Sequence, residues 1–460
     1  MESLAGNLLL TVGGVTGAIF FFILLFRGDI VYGFIIYFIT AIFLGRWFFF
    51  ISLPGLPDIY LERIVFVFLF GVVVIELFTG RERTLPNTSI EYWMVVTLLA
   101  LIVSMYRTGF LATRGDEVQP FHIFLTGFLF PFSFYYFGKT FFYTEKRIRI
   151  FLWTSFILLT YLVLTAYFEH FKLNSLIFPK YIADPTQGIH YGRARGPFVV
   201  APVNGWVIAS LFFPSLFLRT RIQGVFSRGF ILWVLLLTPG AIFYTYTRAV
   251  WLSFILAPVV AIFFSQRLLV KPRFFFFPLV LILLLVLMNW QNITGKEREL
   301  GGVMQLSEIE ARKNLFEATK SIFPDYPLFG VGFGRFTRAL PFYAGGIFFG
   351  TSAQVAAQHN IFFSLLSEVG IIGLIPFLLI LFYAFLYSFR FFKELGQEGF
   401  LNKDLIVAFW SLMVVYLVNA SFIQTQFFLS ANVLIFLWIG IAVGFYQRKI
   451  LNLLPLESNP

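Results

Sequence analysis

Residues 229–266 read GFILWVLLLTPGAIFYTYTRAVWLSFILAPVVAIFFSQ, an almost unbroken apolar stretch whose single charged residue is Arg248. As one helix the stretch would be roughly 57 Å long, whereas the hydrocarbon core of a bilayer is only about 30 Å thick. The stretch is therefore predicted to form two membrane-spanning helices with a break near Thr247 and Arg248. A tight turn at that break would hold Arg248 at the membrane surface, at the start of a helix.

The rest of the chain has the same character. Hydrophobic residues make up 59% of the 460 residues, charged residues only 12%, and the mean hydropathy is +0.85. This composition is too apolar for a soluble protein of this length. Apolar runs long enough to cross a bilayer predict about thirteen spans, near 7–26, 30–45, 64–79, 90–106, 120–138, 150–168, 198–218, 229–247, 249–266, 274–290, 361–389, 404–420 and 428–446.

The spans are predicted to be helices, because backbone groups in lipid need partners within the segment and no run alternates with the period of a barrel strand. The predicted fold is an all-α polytopic membrane protein with about 12–13 transmembrane helices and one large loop outside the membrane that contains short amphipathic helices. Three parts are expected: a transmembrane bundle of about ten spans over 1–290, a large loop over 291–360, and C-terminal spans over 361–460. The first apolar run is interpreted as a span and not as a removable signal.

The distribution of lysine and arginine predicts the orientation. If 291–360 lies outside, more than half of the 34 Lys and Arg residues fall in cytoplasmic loops, as the positive-inside rule requires. The N-terminus is then outside and the C-terminus inside. Cations collect against this rule in three outer places: 169–197, Arg248 and 291–360. Since these cations cannot serve to orient the chain, we expect an anionic group to bind outside.

The first of these places reads GRARGPFVVAPVNGW, residues 192–206. Arg193 and Arg195 precede Gly196-Pro197, after which a span begins, so two guanidiniums lie near a helix N-terminus. Both the guanidiniums and the N-terminus favour a phosphate group. The alternative is a pair of arginines that anchor a span at the lipid headgroups.

The external segment supplies more cations. Within 291–323, one or two amphipathic helices are predicted to lie at the membrane interface, with Arg312 and Lys313 on the polar side and an apolar side formed by Ile309, Leu315, Phe316, Ala318 and Ile322. The following PDYPLFGVGFGRFTRALPFYAGG, residues 324–346, is rich in glycine and proline. It is predicted to form an irregular loop that can wrap a head group with Arg335 and Arg338.

The stretch AAQHNIFFSLLSEVGIIG, residues 356–373, carries His359 and Glu368. His359 is predicted to lie at the outer surface near the arginines, where a neutral imidazole can accept a proton from a hydroxyl group. A structural bond to a loop carbonyl is the alternative. Glu368 is predicted to be a structural residue inside the membrane that faces a partner, and Arg248 is one candidate partner. His122, inside a span, is predicted to pack or to bond between helices.

No metal or cofactor is predicted. The chain has no cysteine, no Asp-x-Asp, and no outer cluster of histidine and carboxylate at ligand spacing. The FGKT at 137–140 lacks the first glycine of a nucleotide-binding loop, so ATP is not predicted either.

Four elements together carry a resemblance. They are Arg-x-x-Gly-Pro-Phe before a span, Thr-Arg-Ala opening a later span, Arg312 with PLFGVGFGRF, and QHNIFFSLLSEVGIIGL after the outer loop. In this order, over roughly 190–440, they resemble the O-antigen ligase and polymerase superfamily of membrane glycosyltransferases. A predicted span count of thirteen departs from the twelve that are usual for the ligases.

The resemblance implies a metal-independent, inverting glycosyltransferase of the GT-C type in the bacterial inner membrane, with its active site facing the periplasm. The loop over 291–360 would then be its periplasmic catalytic loop. Its donor would be a glycan on undecaprenyl diphosphate, and its acceptor a hydroxyl of lipid A core, as in lipopolysaccharide assembly. Growing O-antigen or exopolysaccharide (a polymerase) or a protein hydroxyl are alternative acceptors. The diphosphate would be held by Arg193 or Arg195, Arg248 and Arg312, and His359 would be the base or would orient the acceptor.

The competing hypothesis is a transporter of lipid-linked glycans, which also needs cations near lipid phosphates. Transporters usually carry internal repeats and polar sites at the membrane midplane. The sequence shows no internal repeat, and its unusual residues collect at one face. An enzyme is therefore the preferred interpretation, and no nucleic-acid partner is predicted.

Overall fold

The computed structural model describes residues 29–45, 47–51, 59–82, 84–111, 119–265, 287, 306–343 and 358–453. The described chain is a helical bundle, as predicted for an all-α polytopic membrane protein. Its helices are α1 Val31–Leu44, α2 Leu61–Phe78, α3 Ser89–Thr108, α4 Pro120–Phe141, α5 Glu145–His170, α6 Ala201–Arg221, α7 Val225–Phe243, α8 Arg248–Phe264, α9 Leu306–Asp325, α10 Phe336–Tyr343, α11 Ile361–Val369, α12 Ile371–Glu394, α13 Lys403–Phe422 and α14 Leu429–Ile450. Two short strands, β1 Phe50–Ile51 and β2 Ile59–Tyr60, pair in antiparallel orientation.

The predicted spans that fall on described residues coincide with helices, except that 361–389 is divided between two. The span predicted at 7–26 lies outside the described residues, and of 274–290 only residue 287 is described. Within the described ranges, eight helices are long and apolar enough to cross a membrane: α3, α4, α5, α6, α7, α12, α13 and α14. Two shorter apolar helices, α1 and α8, accompany them. The predicted break is confirmed, because α7 ends at Phe243 and α8 begins at Arg248.

The predicted span at 361–389 is divided into two helices, α11 and α12. Gly370 separates them with a φ of +71°, which residues with a Cβ rarely adopt. The backbone N–H groups of Ile371 and Ile372 donate to the carbonyl oxygens of Pro327 and Leu328, at 2.9 and 3.3 Å. The loop after α9 therefore occupies the place where a continuous helix would run.

The long apolar helices run between two ends of the bundle. At one end, Arg147 bonds to Asp29 and Glu82, at 3.0 and 2.8 Å. The other end carries Arg248 and His359 and is called the His359 end. Helices α3, α5, α7 and α13 end there, and α4, α6, α8, α12 and α14 begin there. The candidate site residues are thereby brought to one end of the bundle.

Two amphipathic helices, α9 and α10, precede His359 in the chain. Helix α9 overlaps the predicted 291–323, whereas α10 lies within 324–346, so the prediction of an irregular loop there is wrong for 336–343. Buried Leu315, Ala318 and Ile322 of α9 pack against Phe336 and Leu340 of α10. These three α9 residues confirm the predicted apolar side, and exposed Arg312 and Lys313 confirm the polar side. Phe316 was predicted on the apolar side but is 43% exposed, with its ring in contact with that of Phe363. The side chain of Ile309 lies outside the described residues.

Candidate active site at the His359 end

Arg193 binds the turn between α7 and α8. Its Nε and Nη2 atoms donate to the Thr245 carbonyl oxygen at 2.9 and 2.8 Å, and Nη2 also donates to the Tyr246 carbonyl at 2.6 Å and to Thr247 Oγ1 at 3.0 Å. A helix C-terminus presents carbonyl groups that lack intrahelical donors, and a guanidinium satisfies them well. Arg193 therefore fixes the turn that immediately precedes Arg248.

Arg195 is only 1% exposed and lies inside its own loop. Its Nη1 donates to the Gln187 carbonyl at 2.6 Å, and its Nη2 donates to the carbonyls of Ile182 and Asp184 at 2.9 and 2.5 Å. An arginine has five N–H donors, and three of them are used here. Burial lowers the pKa of Arg195 from its usual value, and the nearby Glu169 opposes that shift. In this structure Arg195 organises the loop between α5 and α6.

Arg248 is the first residue of α8 and is half-buried. An anion at this position would be attracted by the guanidinium of Arg248 and also by the free N–H groups and the dipole of the helix N-terminus. One and a half turns further on, Ser253 Oγ accepts a hydrogen bond from Asn419 Nδ2 of α13 at 2.9 Å. This bond joins the first turns of α8 to the last turns of α13.

His359 is exposed and stands between two anchored residues, with a φ of +54°. Before it, the buried side chain of Gln358 donates from Nε2 to Thr319 Oγ1 of α9. After it, Asn360 caps α11 by accepting from the N–H groups of Phe362 and Phe363 at 2.9 and 3.0 Å. The backbone at His359 is thus fixed on both sides while the imidazole faces outward.

Arg312 lies near the same place. It is exposed on α9, and its guanidinium carbon is 5.9 Å from the centre of the Phe422 ring at the end of α13. The neighbouring Ser421 accepts a bond from Asn360 Nδ2 at 2.9 Å. The end of α13 therefore brings together Arg312 and the segment that carries His359.

The GVGFGR loop, residues 330–335, is held by hydrogen bonds to other parts of the protein. Arg335 is 3% exposed, and its Nη2 donates to the carbonyls of Thr108, Gly109 and Leu111 at 3.0, 3.2 and 2.8 Å. It closes the C-terminus of α3, whereas Arg338 is exposed on α10. Of the two arginines predicted to wrap a head group, Arg338 is the one at the surface.

Glu368 lies in α11, a nine-residue helix in front of the spanning helix α12. It is 3% exposed, and its Oε2 accepts from the Gly334 N–H at 3.1 Å. Burial raises the pKa of this carboxyl group to about 7, although the N–H groups of Gly334 and Phe336 and the charge of Arg335 favour the ionised form. Its structural role stays a prediction, and its positive neighbour is Arg335.

Comparison with known proteins bears on this arrangement directly. Residues 230–378 match the family model described as O-antigen ligase. Those residues belong to the O-antigen ligase superfamily. The matched part, called the ligase domain below, contains Arg248, Arg312, Arg335, Arg338, His359 and Glu368. No curated protein matches the chain.

The ligase domain confirms the predicted resemblance and gives the protein a function of the O-antigen ligase or polymerase type. It implies a lipid-linked glycan and an acceptor as substrates in a membrane setting, in agreement with the apolar helices. The protein is a multi-pass membrane protein that acts in lipopolysaccharide biosynthesis. Arg193 and Arg195 precede the ligase domain, and Arg193 reaches it through the turn at 245–247.

A cleft lies beside the ligase domain, and its residues were not predicted as site residues. Arg63 and Glu62 of α2 line it, 8% and 7% exposed, together with His122 of α4. Arg63 Nη2 is 2.7 Å from His122 Nδ1, and the guanidinium carbon is 4.9 Å from the centre of the Tyr60 ring. The predicted interhelical bond of His122 is confirmed. In the sequence, the feature that could have indicated this cleft is the pair of opposite charges, Glu62 and Arg63, at the start of an apolar run.

No group of three or more histidine and carboxylate side chains that could hold a metal occurs in the parts of the chain that the structure describes. Two carboxylates at the His359 end, of Glu169 and Glu368, accept hydrogen bonds from backbone N–H groups. Glu169 accepts from the N–H groups of Arg195 and Gly196 at 3.2 and 2.9 Å, and Glu368 accepts from Gly334.

Proposed function

We propose that the protein is an O-antigen ligase that transfers a glycan from undecaprenyl diphosphate to a hydroxyl group of lipid A core. One observation carries the proposal: the segment with the exposed imidazole of His359 and the exposed Arg312 both contact the end of α13. Helix α13 is in turn bonded to the helix that begins at Arg248. A transfer from a diphosphate carrier needs one proton acceptor and several cations, and these residues supply them.

In the proposed reaction the acceptor oxygen attacks the anomeric carbon of the first donor sugar. The bond from that carbon to the diphosphate oxygen breaks, and its electron pair leaves with undecaprenyl diphosphate. His359 takes the proton of the attacking hydroxyl. Attack from the face opposite the leaving group inverts the anomeric configuration.

The diphosphate gains negative charge as it leaves, so fixed cations lower the barrier. Arginine suits this role, because it is always charged and can bind two oxygens at once. We assign Arg248 and Arg312 to the diphosphate. Arg193 and Arg195, with donors already bonded to carbonyl groups, are proposed to hold the turn and the loop around it.

We propose that the His359 end faces the periplasm and that the membrane is the bacterial inner membrane. The charge distribution supports this orientation. Arg147, Arg149 and Arg221 lie at the opposite end of the bundle, and positive residues accumulate on the cytoplasmic side.

A reconstituted assay tests the function. The purified protein is incubated with undecaprenyl-diphosphate-linked glycan, with and without lipid A core, and the products are separated on a gel. A core band of reduced mobility supports ligation, whereas a ladder that remains on the carrier would make the protein a polymerase. Loss of transfer with EDTA, restored by Mg²⁺ or Mn²⁺, would contradict the metal-independent mechanism.

A further inference from the structure

The cleft beside the ligase domain combines opposite charges with aromatic walls. Glu62, Arg63 and His122 supply polar atoms, and the rings of Phe198, Phe427 and Phe428 line the same space. Small-ligand sites typically consist of an apolar wall with a few convergent polar groups. The residues of the cleft meet that description.

The charges of the cleft favour a particular kind of ligand. A phosphate would gain from Arg63 but would be repelled by Glu62, since both side chains line the same space. A sugar ring carries no charge, and its hydroxyl groups both donate and accept. A carboxylate accepts only and a guanidinium donates only, so the pair matches hydroxyl groups, while aromatic rings cover the C–H faces of the sugar.

Two of the segments that line the cleft bond to or directly follow segments of the candidate active site. Gln424 and Gln426, just before Phe427, donate from Nε2 to Ser364 Oγ of α11 at 3.0 and 3.2 Å. Helix α11 begins directly after His359 and Asn360. On the other side, Phe198 follows the loop that contains Arg193 and Arg195.

We infer that this cleft is a subsite for an uncharged sugar ring of the glycan substrate, bound by Glu62 and Arg63 and stacked on the phenylalanine rings. The inference rests on the proposed function and names a binding position for the glycan that is separate from the diphosphate. Donor and acceptor both carry glycans, and the shared chemistry is a ring rich in hydroxyl groups.

Binding measurements on the purified full-length protein test the inference. The probes are the oligosaccharide released from the carrier by mild acid, sugar-free undecaprenyl phosphate, and lipid A core. Glu62→Gln and Arg63→Gln are each expected to weaken oligosaccharide binding about tenfold or more, because each removes a hydrogen bond with a charged partner. Arg107→Gln, an exposed arginine at the same end, is the matched control and should bind as the wild type does.

The three probes separate the sources of the ligand. Weaker oligosaccharide binding with unchanged lipid A core binding assigns the cleft to the donor, and the reverse assigns it to the acceptor. If Arg63→Gln weakens undecaprenyl phosphate instead, the cleft binds an anion and the inference is wrong. Unchanged binding of every glycan to both variants also rejects it.

A second measurement does not depend on the fold tolerating a change at a buried charge. The chain lacks cysteine, so Val200→Cys introduces a single thiol at the half-buried wall of the cleft. The oligosaccharide should slow maleimide labelling of this thiol at least about tenfold at saturation, and should leave a Ser175→Cys control in the exposed outer loop unchanged. Equal labelling with and without the oligosaccharide would overturn the inference.

The two proposals can fail separately. Transfer by the wild type together with unprotected Val200→Cys would leave the proposed function in place and reject the subsite. Absence of transfer to any acceptor would reject the proposed function, and protection of Val200→Cys would still show a sugar site in the cleft.

Discussion

The Nδ2 atom of Asn360 donates to the carbonyl oxygen of Ser421 at 2.9 Å, so the start of α11 is tied to the end of α13. Asn360 also caps α11, and the preceding Gln358 is buried against α9. Between them, the imidazole of His359 is exposed. Its position is set by the backbone, and its removal takes away no buried side chain.

Replacement of His359 by alanine should therefore affect chemistry and not folding. A general base typically contributes about 10²- to 10⁴-fold to a rate. His359→Ala is expected to lower glycan transfer by that factor, with donor binding and unfolding temperature close to those of the wild type. Transfer of labelled glycan to lipid A core, measured in single-turnover mode, provides the rate.

His170 supplies the control for this experiment. It also lies at the His359 end, where its ring stacks on Tyr244 at 3.6 Å, and no catalytic role is assigned to it. His170→Ala should retain transfer. A His359→Ala variant that transfers glycan at the wild-type rate would remove His359 from the mechanism.

Arg248 is expected to act through the donor. Arg248→Ala should weaken binding of undecaprenyl-diphosphate-linked glycan about tenfold or more, since a charge-assisted bond to phosphate contributes about 1.5–3 kcal/mol. Arg248→Lys should recover only part of the affinity, because an ammonium group cannot bind two oxygens in a planar fork. Equilibrium binding of a fluorescent donor analogue measures both variants.

Exposed Arg107 again provides a matched arginine, with its guanidinium carbon 5.0 Å from the centre of the Phe329 ring at the same end. Arg107→Ala should bind the donor normally. If the Arg248→Ala and wild-type proteins bind the donor with equal affinity, Arg248 does not contact the diphosphate and only anchors its helix at the membrane surface.

Arg195 should behave differently from Arg248. It is buried, and its guanidinium donates to three carbonyl groups. At a net 0.5–1.5 kcal/mol for each hydrogen bond, Arg195→Ala is expected to destabilise the protein by roughly 2–4 kcal/mol. Thermal unfolding in detergent measures the loss, which should appear without any ligand.

Lys180, in the same loop, is the control for Arg195. It also donates to two carbonyls, of Asn174 and Ser175, but from an exposed position. Lys180→Ala should therefore change the stability by less than about 1 kcal/mol. If Arg195→Ala unfolds at the wild-type temperature but loses donor binding, Arg195 is the one of the two predicted arginines, Arg193 and Arg195, that contacts the diphosphate.

These contrasts show what sequence can and cannot provide. The break before Arg248 was predictable, because 229–266 is too long for one crossing of a bilayer. The apolar side of α9 followed from its helical spacing. The sequence did not show which arginines donate hydrogen bonds to carbonyl groups of the protein itself. Arg335 bonds to residues more than two hundred positions away in sequence, and Arg193 bonds to the turn at 245–247.

The division at Gly370 illustrates the same limit. An apolar run through 361–389 predicts one span, and only the docking of the loop at 327–330 divides it. The cleft at Arg63 was missed for a related reason. Its walls come from α2, α4, α6 and the segment before α14, which are far apart in the sequence and meet only in the folded bundle.

The ionisation of Glu368, which bonds to the GVGFGR loop, is expected to make the stability of the protein depend on pH. Its pKa is raised by burial from about 4.5 to about 7, so ionisation is harder in the folded protein than in the unfolded chain. The stabilisation from this group is therefore complete below about pH 4.5 and is lost as the pH rises to about 7. The loss amounts to about 3 kcal/mol at most.

Glu368→Gln keeps an oxygen for the Gly334 N–H but cannot ionise, and the variant should lose less stability than the wild type between about pH 5 and about pH 8. Thermal unfolding at both pH values measures the difference, and Glu317→Gln, an exposed carboxyl 3.7 Å from Lys320, serves as the control that should follow the wild type. Parallel pH profiles for Glu368→Gln and the wild type would show that this carboxyl group does not titrate within the fold.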